Sequence, residues 1–325
     1  MIVPQYWAEG RIQHKKAGKQ VTVRRFGWSD ESQESAQEMA DARTEDALRR
    51  ILSGEKLNRT EPKTSYAADG VPIREEIVER GGENILTRNS YGALCINTPD
   101  VFFIDVDYSE HRPFRYLTRA IFLILIIAAF AFFWDEREVV GFAGVAFGAA
   151  ITAPFIAGAI RKTHLKIKGG HERLAMEKVD RFVATRPGWN LRIYRTPNGL
   201  RLLAAHRKFE PSDPEVAECF EALASDPIYR LMCLKQQCFR ARVSPKPWRI
   251  GLADHLRPRP GVWPVKPEHM PARREWIARY EEASKAFSSC AFLETKGNGP
   301  VDPGVVPVME WHDELCRAES GLPTA

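Results

Sequence analysis

The chain has few of the cysteines that would organise a secreted fold. Its six, Cys95, Cys219, Cys233, Cys238, Cys290 and Cys316, are scattered over 325 residues without a CxxC pair. That scatter excludes a disulfide framework and reads as reduced, cytosolic thiols. His312 and Cys316 stand one helical turn apart, a spacing that suits a shared metal, but no second ligand pair is evident beside them. A signal peptide is not expected, because Met1 to Trp7 is short and charged residues follow at once. Nor does one sign of charge dominate. A net charge of +5 and a pI near 8.8 suit anionic lipid, nucleotides or nucleic acid and select none of them. Arginine outnumbers lysine 32 to 15, which fits a GC-rich genome before it argues for forked donors. Long apolar runs are absent from all but one stretch, and with 27% charged residues the remainder must fold in water. The length suffices for two compact domains at roughly 150 residues each.

The exceptional stretch is residues 116–160. Ala120 to Trp134 is an uncharged apolar run, and Tyr116 to Arg119 bring it near the ~20 residues that a bilayer demands. Val139 to Ile160 carries no charge either and follows after only Asp135, Glu136, Arg137 and Glu138. Two spans with an acidic turn predict a transmembrane helical hairpin. Arg112, Arg115 and Arg119 precede it, and Arg161, Lys162, Lys166 and Lys168 follow. The positive-inside rule therefore places both flanks, and with them both termini, on the cytoplasmic side of a bacterial inner membrane. Gly141, Gly144 and Gly148 form a small-residue stripe suited to close helix packing within the hairpin. Two buried helices of a soluble core are the competing reading, although such helices normally keep a polar face.

Residues 1–56 read as a β-hairpin (Tyr6 to His14, Val21 to Trp28, turning at Lys16-Ala17-Gly18-Lys19) followed by a helix from Asp30 to Ser53. Ser29 is its expected cap, and Ala36, Met39, Ala40, Ala47, Leu48 and Leu52 are on its apolar side. Lys19, Arg24 and Arg25, interleaved with Trp7, Phe26 and Trp28, are candidate nucleic-acid contacts, against the plainer reading of a solvated hairpin surface. Residues 57–75 read as a linker.

The main domain comprises 76–115 and 161–250, interrupted by the anchor. Strands are expected within Ser90 to Asp107 (the second being Val101 to Asp107), at Asn190 to Arg195, Leu200 to His206 and Cys238 to Ser244. Helices are expected at His171 to Thr185 and Pro214 to Gln236, the latter broken at Asp226-Pro227. The order β-α-β-β-α-β is that of a ferredoxin-like or RNA-recognition-motif-like α+β core, with the transmembrane hairpin inserted after the first core strand. Residues 251–325 are a Pro-rich run, Pro258 to Pro271, then a helix (Ala272 to Phe287), a short strand (Ala291 to Thr295) and a last helix (Val308 to Ala318). Trp263, Trp276 and Trp311 read as packing anchors.

Strand alternation sends Phe102, Ile104 and Val106 toward the helices and leaves Asp105 and Asp107 side by side on the opposite, open face. The same rule turns Arg192, Tyr194, Arg240 and Arg242 outward, with Arg201 joining them. Two acids among several guanidiniums suit a divalent metal, Mg2+ or Mn2+, together with a phosphorylated ligand: oxygen ligands for the ion, forks for the phosphates. The alternative is that Asp105 and Asp107 salt-bridge Arg240, Arg242 or Arg192 and stiffen a scaffold.

The segment Phe102 to Asp107 (FFIDVD) resembles the hydrophobic-Asp-hydrophobic-Asp motif of the archaeo-eukaryotic primase (primase-polymerase) superfamily, whose catalytic core is also RNA-recognition-motif-like. The resemblance implies that Asp105 and Asp107 bind a divalent metal for nucleotidyl transfer. The hairpin Arg195 to Leu203 is similar in placement to that family's second motif. It departs from the pattern by carrying Arg201 where a nucleotide-binding histidine belongs, with His206 several positions late. Asp254 and Glu294 are candidates for a third acid. Asp105-Val106-Asp107-Tyr108-Ser109 also mimics the nucleophile loop of haloacid dehalogenases, but no later Gly-Asp motif accompanies it and the strand order is not doubly wound. The expectation is thus a membrane-anchored, cytoplasm-facing domain that binds metal-nucleotide or nucleic acid, with or without retained catalysis. Its alternative is a membrane scaffold that holds a protein partner.

Overall fold

The computed structural model describes the chain except for residues 1–2, 17–18, 62–70, 109–110, 134–138 and 260. The turn expected at Ala17-Gly18 and the acidic turn Asp135 to Glu138 therefore lie outside the described residues.

At the N-terminus, β1 (Tyr6–Lys16) and β2 (Lys19–Ser29) pair antiparallel from Tyr6↔Ser29 to Lys16↔Lys19, and α1 (Gln33–Leu52) lies across them. The close approach depends on two glycines: a Cβ at Gly10 would collide with the Ala40 carbonyl, and one at Gly27 with the Ala36 carbonyl. Ala36, Ala40 and Ala47 supply the buried small residues opposite. The cap is Ser32, whose hydroxyl accepts from the Ser35 amide, and not Ser29. Met39 and Leu52, expected on the apolar side, are exposed, because the hairpin is too narrow to cover the whole helix. Part of the expected linker is ordered, with Arg24 N donating to the Arg59 carbonyl at 2.8 Å beside β2.

The central region is mixed α+β, built on two four-stranded antiparallel sheets. One is ordered β3-β4-β5-β9, from β3 (Glu76–Gly81), β4 (Asn84–Arg88), β5 (Leu94–Thr98) and β9 (Phe239–Arg242). The other is ordered β10-β7-β8-β6, from β6 (Phe103–Asp107), β7 (Leu191–Thr196), β8 (Gly199–Ala204) and β10 (Ala291–Lys296). The strands expected in a single β-α-β-β-α-β sheet are divided between these two sheets. The expected core strands β7, β8 and β6 are adjacent, but the fourth, β9, pairs with β5 from Cys95↔Arg242 to Thr98↔Phe239. A side chain bridges the seam, since the Tyr229 hydroxyl lies 3.2 Å from the Phe103 carbonyl on β6 and 2.9 Å from the Arg240 carbonyl on β9. The β3-β4 hairpin was not anticipated. As a charged edge strand, β3 lacks the apolar alternation that marks a half-buried one.

Helices α4 (Gly170–Ala184), α5 (Pro214–Ala222) and α6 (Pro227–Gln236) stand on one side, where Phe102 meets Phe209, Phe220 and Phe239 at ring distances of 4.9 to 5.3 Å. Truncating such a fully buried phenyl ring typically costs about 3–5 kcal/mol. The opposite face of the β10-β7-β8-β6 sheet was expected to be open. Instead α8 (Val306–Cys316) covers its β7 end, placing His312 5.1 Å from the Phe103 ring and 4.7 Å from the Tyr194 ring. A satellite core forms around α7 (Met270–Ser284), where Trp276 is buried against Tyr280, and glycine at 92 leaves the room that the Trp276 ring fills.

Helices α2 (His111–Phe133) and α3 (Val139–Ile167) leave the core directly after β6 and return at α4. Both are long and apolar enough to cross a membrane. Their apolar side chains are bare: Phe132, Phe147 and Phe155 are each more than two-thirds exposed, which sets them apart from the core helices of a soluble protein. The hairpin packs on itself, but through buried Ala129, Ala149, Ala153 and Ala157. Open space surrounds Gly144 and Gly148, so that part of the glycine stripe does not form the contact expected of it.

Candidate functional site

A cleft of about 660 Å³ opens where the two sheets meet. The last strand residues of β6 carry Asp105 and Asp107 to one wall, and the N-terminal cap of α6 adds Asp226. The other walls bring Arg240 and Arg242 from β9, Lys246 and Arg249 from the loop after it, and Arg74 and Glu75 from the segment before β3. Tyr91 also lines the cleft, and its ring lies 5.3 Å from that of Trp248, an exposed indole beside Lys246.

Strand register decides what the first acid does. Asp105 pairs directly with Arg201 across β6 and β8, and both carboxylate oxygens accept from that guanidinium, at 2.8 Å from Nε and 3.2 Å from Nη2. The third nitrogen donates to the Arg242 carbonyl at 2.6 Å. The Arg201 side chain is only 4% exposed, and burial alone would lower its pKa; the Asp105 carboxylate overrides that and holds the guanidinium charged. The salt-bridge alternative thus applies to Asp105, with Arg201 as partner instead of Arg240, Arg242 or Arg192. Arg240 is engaged elsewhere, by Glu75 at 2.6 Å and by the Asn97 side-chain oxygen at 2.8 Å.

Asp107 is different. It is exposed at the end of β6, yet partial desolvation by the cleft, then the neighbouring charges of Asp105 and Asp226, raise its pKa above the ordinary carboxylate value, opposed by Lys246. Across the cleft the repulsion has the opposite sign. Burial lowers the pKa of Lys246 and Arg249, and the charge of Arg242 lowers both further. Arg242 donates to the Ser244 carbonyl, and no ion pair to a described carboxylate engages Arg242, Lys246 or Arg249. Beyond the Arg201–Asp105 and Arg240–Glu75 pairs, the cleft thus holds Asp107 and Asp226 together with Arg242, Lys246 and Arg249, groups that favour ligands of opposite charge.

The donor atoms on the acidic wall are all oxygen, the set that Mg2+ or Mn2+ takes. Asp105 does not fit while Arg201 holds both its oxygens. Asp107 and Asp226 remain as oxygen donors, and among the described residues no third acid of the cleft converges on them within metal-ligand reach.

Other sequence candidates lie elsewhere. Arg192 pairs with Asp313 and Glu319, each at 2.7 Å, and Tyr194 is buried beneath α8; neither lines the cleft. Asp254 binds Arg279 at 2.6 Å and Glu294 faces Lys296 at 3.6 Å, so neither is the third acid of this site. His206 packs against Trp189 at a ring distance of 4.6 Å. Arg25 donates to the Asn58 and Arg59 carbonyls and so clasps the segment after α1, while Arg24 lies 3.5 Å from Glu9. The side chain of Lys19 is outside the described residues. Asp226, Lys246 and Arg249 were missed. The Asp226-Pro227 break was legible as a helix start, but that the cap faces Asp107 follows only from the packing of α6 on β6.

No protein-family model, curated protein or solved structure matches the chain.

Proposed function

We propose that this cleft binds a phosphorylated ligand, a nucleoside triphosphate carried with Mg2+ or Mn2+, at the cytoplasmic surface of a bacterial inner membrane. The observation that carries the reading is that Asp107 and Asp226 share one cleft with Arg242, Lys246 and Arg249, which make no ion pair among the described residues. The carboxylates would hold the ion, the cations the phosphates, and the Tyr91-Trp248 pair offers a base a stacking surface. When bound, the ion supplies charge neutralisation between the acids and the phosphates. The adjacency of β7, β8 and β6, with β9 beside β6, supports the primase-polymerase-like reading and its ferredoxin-like core. The bare apolar hairpin supports insertion of residues 116–160 in lipid, with both termini on the side of the basic flanks. Only three residues separate Asp107 from the start of α2, a reach of at most about 14 Å of extended chain, so the cleft works close to the membrane.

One observation favours binding without turnover. Arg201 closes both oxygens of Asp105, the residue that the resemblance assigns to the metal. A non-catalytic sensor or scaffold holding a protein partner is therefore the second reading. The test is titration of a fluorescent nucleoside triphosphate into the detergent-solubilised full-length protein, with and without Mg2+. Binding that needs Mg2+ and is lost in Lys246→Ala/Arg249→Ala is expected, whereas absence of binding in both conditions would overturn the proposal. Single-stranded DNA in the same titration, across a salt series, separates nucleic acid from free nucleotide, because each neutralised phosphate contributes a logarithmic slope of roughly 0.7. Incorporation of nucleotide into a primed template separates turnover from binding.

A further inference from the structure

A second constellation lies on the same sheet face, away from the cleft and without its oxygen chemistry. The backbone after α7 runs beside the end of α8: the Ser289 amide donates to the Cys316 carbonyl at 3.1 Å and the Phe292 amide to the Ala318 carbonyl at 2.8 Å. This brings Cys290 against a helix on which His312 and Cys316, four residues apart, present one face. One ligand atom from each of the three residues lies within 4.8 Å of the other two, and all three side chains are buried.

The surroundings orient these groups as a metal site requires. His312 Nε2 lies 3.4 Å from Cys316 Sγ, while Nδ1 lies 3.0 Å from the Asp313 carboxylate, which leaves Nε2 as the lone-pair nitrogen facing the thiols. Asp313 is itself fixed by Arg192 at 2.7 Å. A carboxylate holding the far nitrogen of a ligating imidazole is the usual outer support of such sites, and it sets both tautomer and ring orientation. The rings of Tyr194 and Phe103 fix the imidazole from the sides.

We propose that Cys290, His312 and Cys316 bind one zinc ion, which fastens the C-terminal segment to the outer face of the β10-β7-β8-β6 sheet. Sulfur and imidazole select a thiophilic ion over the Mg2+ or Mn2+ that the cleft's carboxylates suit. Two thiolates, a neutral imidazole and a divalent ion sum to zero charge, which is compatible with full burial. Binding releases the two thiol protons to solvent, and no redox step is involved. Three protein ligands leave the fourth zinc position to a small exogenous ligand.

The experiment is metal analysis of the full-length protein purified in detergent without chelators, by inductively coupled plasma mass spectrometry. About one zinc per chain is expected, released when an organomercurial titrates the thiols and absent from Cys290→Ser and Cys316→Ser. Should those variants misfold, the unaltered protein still decides the matter: metal-free chain titrated with Co2+ should develop thiolate charge-transfer and tetrahedral ligand-field bands. Asp313→Asn should retain the bands but weaken affinity roughly 10–100-fold. A chain that carries no zinc and gives no cobalt bands would overturn the proposal. So would stoichiometric copper, or a Cys290–Cys316 disulfide in the protein as purified.

Discussion

The two ends of one sheet face use the same side chains differently. At the β7 end, Arg192 and Tyr194 point outward and are covered by α8, which engages Arg192 through Asp313 and closes over Tyr194. At the β6 end, Asp105 and Asp107 point outward on the same alternation and face a cleft, because the neighbouring strand β9 has left the sheet to pair with β5. Alternation chooses the face; what packs on that face chooses between structure and binding. Arg201, paired with Tyr194 on one side and Asp105 on the other, stands at the border, and its burial assigns Asp105 to the structural side.

Breaking that border should have the largest effect. Asp105→Asn strands a guanidinium that is only 4% exposed, which typically costs about 3–5 kcal/mol, whereas Arg201→Met leaves a carboxylate that is 43% exposed and rehydrates, so it should cost less. At roughly 2–4 °C per kcal/mol for a domain of this size, thermal unfolding of Asp105→Asn should fall by about 10 °C and that of Arg201→Met by less. An unchanged midpoint in both would mean that Asp105 is not structurally committed and would return it to the metal. Arg192→Ala comes next. It should cost about 1–3 kcal/mol through the unpaired Asp313 and leave nucleotide affinity as it was. Weakened nucleotide binding in this variant would break the comparison between the two ends. Lys246→Ala and Arg249→Ala should reverse the pattern, each lowering nucleotide affinity about tenfold, about 1.4 kcal/mol. Both should leave stability within about 0.5 kcal/mol.

How much of this was legible beforehand depends on how local the determinant is. The apolar runs flanking Asp135 to Glu138 gave the hairpin, and the Asn198-Gly199 turn gave β7 and β8, because period and turn chemistry are written in adjacent residues. Asp105 and Asp107 were legible as neighbours on one strand face for the same reason. Their different fates were not, because Arg201 meets Asp105 through a cross-strand register. Nor was the switch of β9 to β5, since a strand such as Phe-Arg-Ala-Arg carries nothing that names its partner. Cys290 joins His312 and Cys316 only after the chain has folded back, so the helical spacing showed two of the three residues. The β3-β4 hairpin failed for a different reason: at an exposed edge the charges that discourage aggregation also erase the strand pattern.

The smallest expected effect is the most specific to Asp107. Its pKa is raised in the folded chain from an ordinary 3.8, so the folded state holds a proton that the unfolded state has already released in the window just above pH 3.8. Unfolding free energy therefore falls as pH rises through that window, and the full penalty persists at neutral pH. Asp107→Asn removes the penalty without creating a cavity. In magnesium-free buffer the variant should be slightly more stable than the parent chain near pH 7, and the advantage should shrink as pH falls toward and below 3.8, where the unfolded parent also takes up the proton. Asp105→Asn should show the opposite sign at neutral pH. Thermal melts of the three proteins between pH 3.5 and pH 7.5 read this directly. A destabilised Asp107→Asn at neutral pH would mean that Asp107 has a cationic partner holding it in place, and the cleft would then be a second closed salt bridge and not a site waiting for an ion.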